Sequence, residues 1–114
     1  MNFITENINN VVVFKILETT LEGKQSADFK SHILIVAQPN IKALVLDLTN
    51  IAIIDSSCLG ALLLAYRQLN AYNIPVILVG VQEFVLNILE LTRIRDLYQY
   101  YKTTEEAIDY IIDK

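Results

Sequence analysis

The stretch "LDLTNIAIIDSSCLGALLLAY", residues 46–66, is apolar almost throughout, yet an acid and two hydroxyls, Asp55, Ser56 and Ser57, interrupt it. The run before the interruption is strand-like. "KALVLDL" (42–48) is continuously apolar between Lys42 and Asp47, as a strand buried on both faces should be, and "IAII" (51–54) follows as a short extended piece after a turn at Thr49-Asn50. After the interruption Leu59, Leu62, Leu63, Tyr66 and Leu69 recur at spacings of three and four, which predicts a helix. The period therefore changes from strand to helix at Asp55-Ser56-Ser57. At such a junction Ser56 or Ser57 could cap the helix, for which one serine is enough. Alternatively the hydroxyls are a chemical handle displayed at its start.

Working outward, the same alternation repeats. "NFITE" (2–6) and "VVVFKILE" (11–18) read as two strands joined by the polar turn "NINN", and "TTLEGKQ" (19–25) as a loop. "SADFKSHILIVA" (26–37) reads as a helix with Ser26 as its N-cap and Phe29, Ile33 and Val36 on one face. Asn73 stops the helix that begins at Ser57, and Pro75 opens the strand "PVILVGV". A short helix "EFVLNILELT" (83–92) and a short strand "DLYQYY" (96–101) come next. "TTEEAIDYIID" (103–113) closes the chain as a helix with Thr103 and Glu106 at capping-box spacing. The order β-β-α-β-α-β-α-β-α implies an α/β domain with a mixed, mostly parallel sheet, helices packed on it and an antiparallel hairpin at one edge. With 114 residues and no linker or repeat, a single domain spanning 1–114 is expected.

Composition narrows the function. At 54% hydrophobic the chain can build a compact core, and no apolar run reaches the roughly 18 residues of a membrane span. The net charge of -4, with nine scattered basic residues, argues against nucleic acid or an anionic membrane as partner. The N-terminus lacks a basic stretch followed by an apolar one, so no secretory signal is expected, and the single cysteine, Cys58, fits a reducing cytoplasm. No metal-ligand spacing, phosphate-cradling glycine loop or Ser/His or Cys/His pairing is evident, so neither a metal, a cofactor nor an enzymatic activity is expected. The one histidine, His32, reads as a solvated surface residue, and Cys58 as a small structural residue with no redox role.

The junction itself resembles a known signature. Asp55-Ser56-Ser57-Cys58-Leu59-Gly60 is similar to the D-S-S-G-L-G motif of anti-sigma factor antagonists, members of the STAS domain family. The preceding "ALVLDLTNIAIID" and the C-terminal "LELTRIRDLYQYYKTTEEAIDYI" resemble that family's strand-turn-strand and its L-T-G-L helix end, strand and E-E-A helix. Cys58 stands where the signature has its first glycine, and Arg93 where L-T-G-L has its glycine. "TTLEG" has Thr19 and Glu22 in place of the glycine and aspartate of a G-x-L-D motif. The resemblance implies a STAS fold and a protein-binding switch that catalyses nothing itself. Unphosphorylated, it would bind a partner that is both serine kinase and anti-sigma factor, and free a sigma factor. Phosphorylation would break that binding, and a separate serine phosphatase would restore it.

The phosphorylated residue maps to Ser57, with Ser56 as the alternative, and the acids expected around it are Glu22, Asp47 and Asp55. A partner surface of Glu22, Gly23, Ser56, Ser57 and Leu59 follows from placing these loops at one end of the sheet. Within that surface Ser56 is expected to turn inward and Ser57 to point outward. Two other readings stay open. One is a STAS accessory subunit of a lipid-transport ATPase complex without phosphorylation. The other is a small enzyme with Ser57 as nucleophile.

Overall fold

The computed structural model describes residues 1–113. Strands β1 (Phe3–Ile8) and β2 (Val11–Ile16) form a hairpin, and the two-residue strand β3 (Thr20–Leu21) leads into helix α1 (Gly23–Val36). Then come β4 (Ala43–Asp47), the two-residue β5 (Ile53–Ile54), α2 (Ser56–Asn70), β6 (Val76–Val79) and α3 (Glu83–Leu91). A turn of 3-10 helix (Arg95–Leu97), β7 (Gln99–Tyr101) and α4 (Thr104–Ile112) complete the fold. Five strands make one sheet in the order β1-β2-β4-β6-β7. Among the described residues of this sheet only the β1–β2 pair is antiparallel. The expected mixed, mostly parallel sheet is the one observed. No helix among the described residues is long and apolar enough to cross a membrane.

The period of two explains why β4 reads as continuously apolar. Leu44 and Leu46 join the larger core beneath α1, α2 and α3, while Ala43 and Val45 join a smaller core beneath α4. β2 and β6 divide in the same way, with Phe14 and Leu78 on one side and Val13 and Ile77 on the other. Helix α2 commits Cys58, Leu59, Ala61, Leu62, Ala65 and Leu69 to the larger core. Full burial of a leucine stabilises by roughly 1.5–3 kcal/mol, so this face, and not the polar start of the helix, docks it on the sheet.

Four local readings change. "TTLEGKQ" is not a plain loop, because Thr20 and Leu21 pair in parallel with Ile53 and Ile54 as a second, two-stranded sheet. Helix α1 starts four residues earlier than a cap at Ser26 predicts. Glu22 is its N-cap and donates its backbone N–H to Gln25 Oε1 at 2.8 Å, while Ser26 is buried inside the helix. His32 is half-buried and not a freely solvated surface residue. Its ring lies 4.2 Å from that of Phe3, and its Nε2 lies 3.2 Å from Asp28 Oδ1. "DLYQYY" splits between the 3-10 turn and β7, and the strand is only Gln99–Tyr101.

Left-handed backbone marks the chain reversals. Asn9 and Asn10 both have positive φ, as a two-residue type I′ hairpin turn requires. Asn73 (φ 58°) follows α2, and Ile74 N–H returns to Leu69 O at 3.1 Å. Arg93 (φ 63°) follows α3 in a Schellman motif, with Ile94 N–H bonded to Leu89 O and Arg93 N–H to Glu90 O, both at 3.0 Å. The position suits glycine, so Arg93→Gly should stabilise the protein by about 0.5–1 kcal/mol in urea denaturation; a loss of stability would contradict this. At Gly80 (φ 67°) an added Cβ would sit 2.2 Å from Thr49 Oγ1. Gly80→Ala should therefore cost about 2 kcal/mol or more by the same measurement.

Candidate functional site

Two helix starts meet at one end of the sheet. The β3–β5 pairing brings the segments leading into α1 and α2 side by side, and Asp55 N–H bonds Leu21 O at 3.0 Å just before α2 begins. An added Cβ on Gly23, the first residue of α1, would lie 3.5 Å from Ser57 Oγ and 3.6 Å from Asp55 Oδ2. Glu22, Gly23, Asp55, Ser56 and Ser57, expected together, are brought together.

Within this group the roles differ from those expected. Neither serine caps α2. Asp55 does, accepting the Cys58 N–H on Oδ1 at 3.2 Å. The same oxygen accepts the Ser57 hydroxyl at 2.7 Å. Ser57 is exposed, and its hydroxyl is oriented by this bond to Asp55. Ser56 is exposed as well and does not turn inward. The inward-facing serine is Ser26, which donates its hydroxyl to the Ser57 backbone carbonyl at 3.1 Å. Sequence reading missed this partner, because a serine four residues after Glu22 looks like a cap until the helix is seen to start earlier.

Cys58 makes a second tie. It is fully buried, and its thiol donates to Glu22 O at 3.3 Å, joining the start of α2 to the cap of α1. Burial first, and then the Asp55 charge, push the thiol pKa up to about 11. Its position in the first turn of a helix does not make it a thiolate.

Asp55 is shifted the other way. The Ser57 hydroxyl first, with the N–H groups of Cys58 and Gly23 assisting, holds its carboxyl below the ordinary carboxylate range. The stability this contributes is present above the unfolded value of about 3.9 and is lost as pH falls through the lower folded value.

Two expected site residues lie elsewhere. Asp47 ends β4 but does not face Ser57. Its side chain points to the α4 side of the sheet, where it accepts the Thr49 N–H at 3.0 Å, the Thr49 hydroxyl, and the Thr104 hydroxyl at 3.2 Å. It braces the turn after β4 against the start of α4. Leu59 is 6% exposed and belongs to the core, so it offers a partner almost no surface. Exposed apolar groups at this end include Ile53, just before Asp55, and Phe84, in the first turn of α3, the helix packed beside β5.

Removing the Ser57 hydroxyl should release Asp55. In Ser57→Ala the Asp55 carboxyl should titrate closer to its ordinary value, followed by carboxyl NMR; an unchanged titration would mean that the hydroxyl does not hold it. Cys58 should resist a thiol reagent in the folded protein at pH 8 and react only after denaturation, since its folded pKa of about 11 leaves little thiolate.

The STAS domain family profile matches residues 2–107. No curated protein sequence matches. Among solved structures, an anti-sigma factor antagonist (STAS) domain protein from Planctomyces limnophilus superposes with a TM-score of 0.87 at 18% identity, covering 96% of each chain. An anti-sigma factor antagonist from Mycobacterium paratuberculosis gives 0.84 at 20% identity, over 98% of this chain and 94% of that one. The phosphorylated form of the Bacillus cell fate determinant SpoIIAA gives 0.75 at 20% identity, over 96% and 99%. At these identities the likeness is one of fold, and it agrees with the profile: with a match that spans nearly its whole length, the chain belongs to the STAS domain family.

Proposed function

We propose that this protein is an anti-sigma factor antagonist switched by phosphorylation of Ser57. The observation that carries the reading is the exposed Ser57 hydroxyl, held at 2.7 Å by Asp55 where the starts of α1 and α2 converge. That the superposed structures include a SpoIIAA in phosphorylated form supports it.

In this reading the neutral state presents a compact polar centre of Glu22, Gly23, Ser56 and Ser57, with Ile53 and Phe84 as an apolar rim. A partner that is both kinase and anti-sigma factor docks there and releases its sigma factor. The kinase transfers the γ-phosphoryl of ATP to Ser57 Oγ; the hydroxyl proton leaves and ADP is the other product. The phosphate carries a charge of about -1.5 to -2 and three acceptor oxygens. It displaces the hydrogen bond to Asp55 and sets a second negative group beside a carboxylate that stays ionised. The helix starts favour the anion, but Asp55 and Glu22 oppose it. A partner surface fitted to a neutral hydroxyl must in addition desolvate the new charge, so the complex separates. A serine phosphatase then returns the protein to its binding state. No chemical step is assigned to the chain itself, which acts by changing partners in the cytoplasm.

Isothermal titration calorimetry with the purified kinase partner tests this. Ser57→Ala should bind as the wild type does and resist release by ATP. Ser57→Asp should bind more weakly by about 1–3 kcal/mol, or roughly 5- to 150-fold. Equal affinity of the two variants would remove Ser57 as the switch, and release by ATP of a Ser56→Ala protein but not of Ser57→Ala is the pattern expected. Capture of transport-ATPase subunits, with no kinase, would favour an accessory role in a transporter.

A further inference from the structure

The free edge of the sheet at β1 carries a second surface. β1 runs six residues in unbroken register with β2, from Phe3 opposite Ile16 to Ile8 opposite Val11, and no bulge or proline interrupts it. Glu6 is its only charged residue. Natural edge strands are usually short, bulged, covered or densely charged, because an unpaired backbone is a template for another strand. Here Ile4, Thr5, Glu6 and Asn7 are all exposed, Ile4 to 48%.

Register fixes which backbone groups are free. Leu17 N–H bonds Asn2 O at 2.9 Å, and Ile8 and Val11 close the two-residue turn. Even-numbered residues of β1 therefore hydrogen-bond β2, and the N–H and C=O groups of Phe3, Thr5 and Asn7 point away from the sheet.

We propose that this edge pairs antiparallel with β1 of a second copy, about a two-fold axis at Thr5. In that register Thr5 faces Thr5 and Phe3 faces Asn7, so every outward-pointing residue meets another. Centring the axis on Glu6 would set two like charges directly opposite, and centring it on Ile4 would leave Asn7 beyond the overlap. The Thr5 register also places Glu6 of the second copy opposite Ile4. Ile4 is itself paired with Lys15 of β2 on the same face. With strands about 4.8 Å apart, Lys15 and that Glu6 come within reach of each other across Ile4, giving a complementary charge pair on each side of the axis. A two-fold surface of this kind closes on itself and stops at a dimer. Because the paired strands run in opposite directions, the two Ser57 sites lie at opposite ends of the joined sheet, and both stay open.

Sedimentation velocity over a concentration series tests the proposal. The wild type should pass reversibly from monomer to dimer as concentration rises, and hydrogen exchange at the Thr5 and Asn7 amides should slow in parallel. Thr5→Pro removes an N–H that the hairpin does not use and should abolish the dimer. Glu6→Lys should weaken it by like-charge repulsion with Lys15, and the Glu6→Lys/Lys15→Glu double variant should recover it, which separates loss of the interface from loss of folding. A wild type that stays monomeric throughout, or a dimer equally strong in Thr5→Pro and in Glu6→Lys, would overturn the assignment.

Discussion

The position of Ser57 depends on a clamp between two helix starts. α2 is fixed over the sheet by its buried apolar face, which includes Cys58 and Leu59 in its first turn. Three polar contacts tie that turn to its neighbours. Asp55 takes the Cys58 N–H, Ser26 reaches across from α1 to the Ser57 carbonyl, and the Cys58 thiol binds the carbonyl of Glu22. Two of these bonds come from or go to α1, so the α1 cap and the α2 cap behave as one unit. The β3–β5 pair beneath them sets the spacing by holding the two entering segments in register.

This clamp also separates packing from chemistry. Cys58 and Leu59 point into the core and Ser56 and Ser57 point out, as consecutive pairs on one turn of helix must. The signature thus combines two functions in four residues. The buried pair anchors the turn, and the exposed pair presents it. Cys58 fills the space where the related signature has a glycine and turns the added volume into a hydrogen bond with Glu22, at the cost of a thiol too basic to react readily. Asp55 works on both sides, as a cap for the helix and as acceptor for the Ser57 hydroxyl, which is why a charge added at Ser57 is felt at once by the residue that starts α2.

The main elements were legible because their periods are strong. β4 and β6 are buried on both faces and read as unbroken apolar runs, and the three-four spacing of Leu59, Leu62 and Leu69 reads as a helix. Of the short pieces, β5 reads from the apolar run at 51–54, whereas β3 does not: Thr20-Leu21 is too short for any period and becomes a strand only by pairing with β5. Serine is a common cap and glutamate a less common one, so the sequence pattern points to Ser26 where the cap is Glu22. The family resemblance places Asp47 among the acids around Ser57, but the alternation along β4 sends its side chain to the other face of the sheet, toward Thr104. Leu59 looked like a surface contact from its place in the signature, whereas its helix face commits it to the core. Arg93 could be recognised as unusual by comparison with the family's glycine, and its positive φ gives the physical reason for that glycine.

The most direct measurement is a phosphosite map of the protein purified from its own cells, collected across growth and stress conditions with a Ser57→Ala strain as control. The account predicts a phosphate on Ser57 whose occupancy changes with condition, and no compensating phosphate on Ser56 in the control strain. Phosphate confined to Ser56, or a protein that carries none under any condition while still engaging its partner, would contradict it.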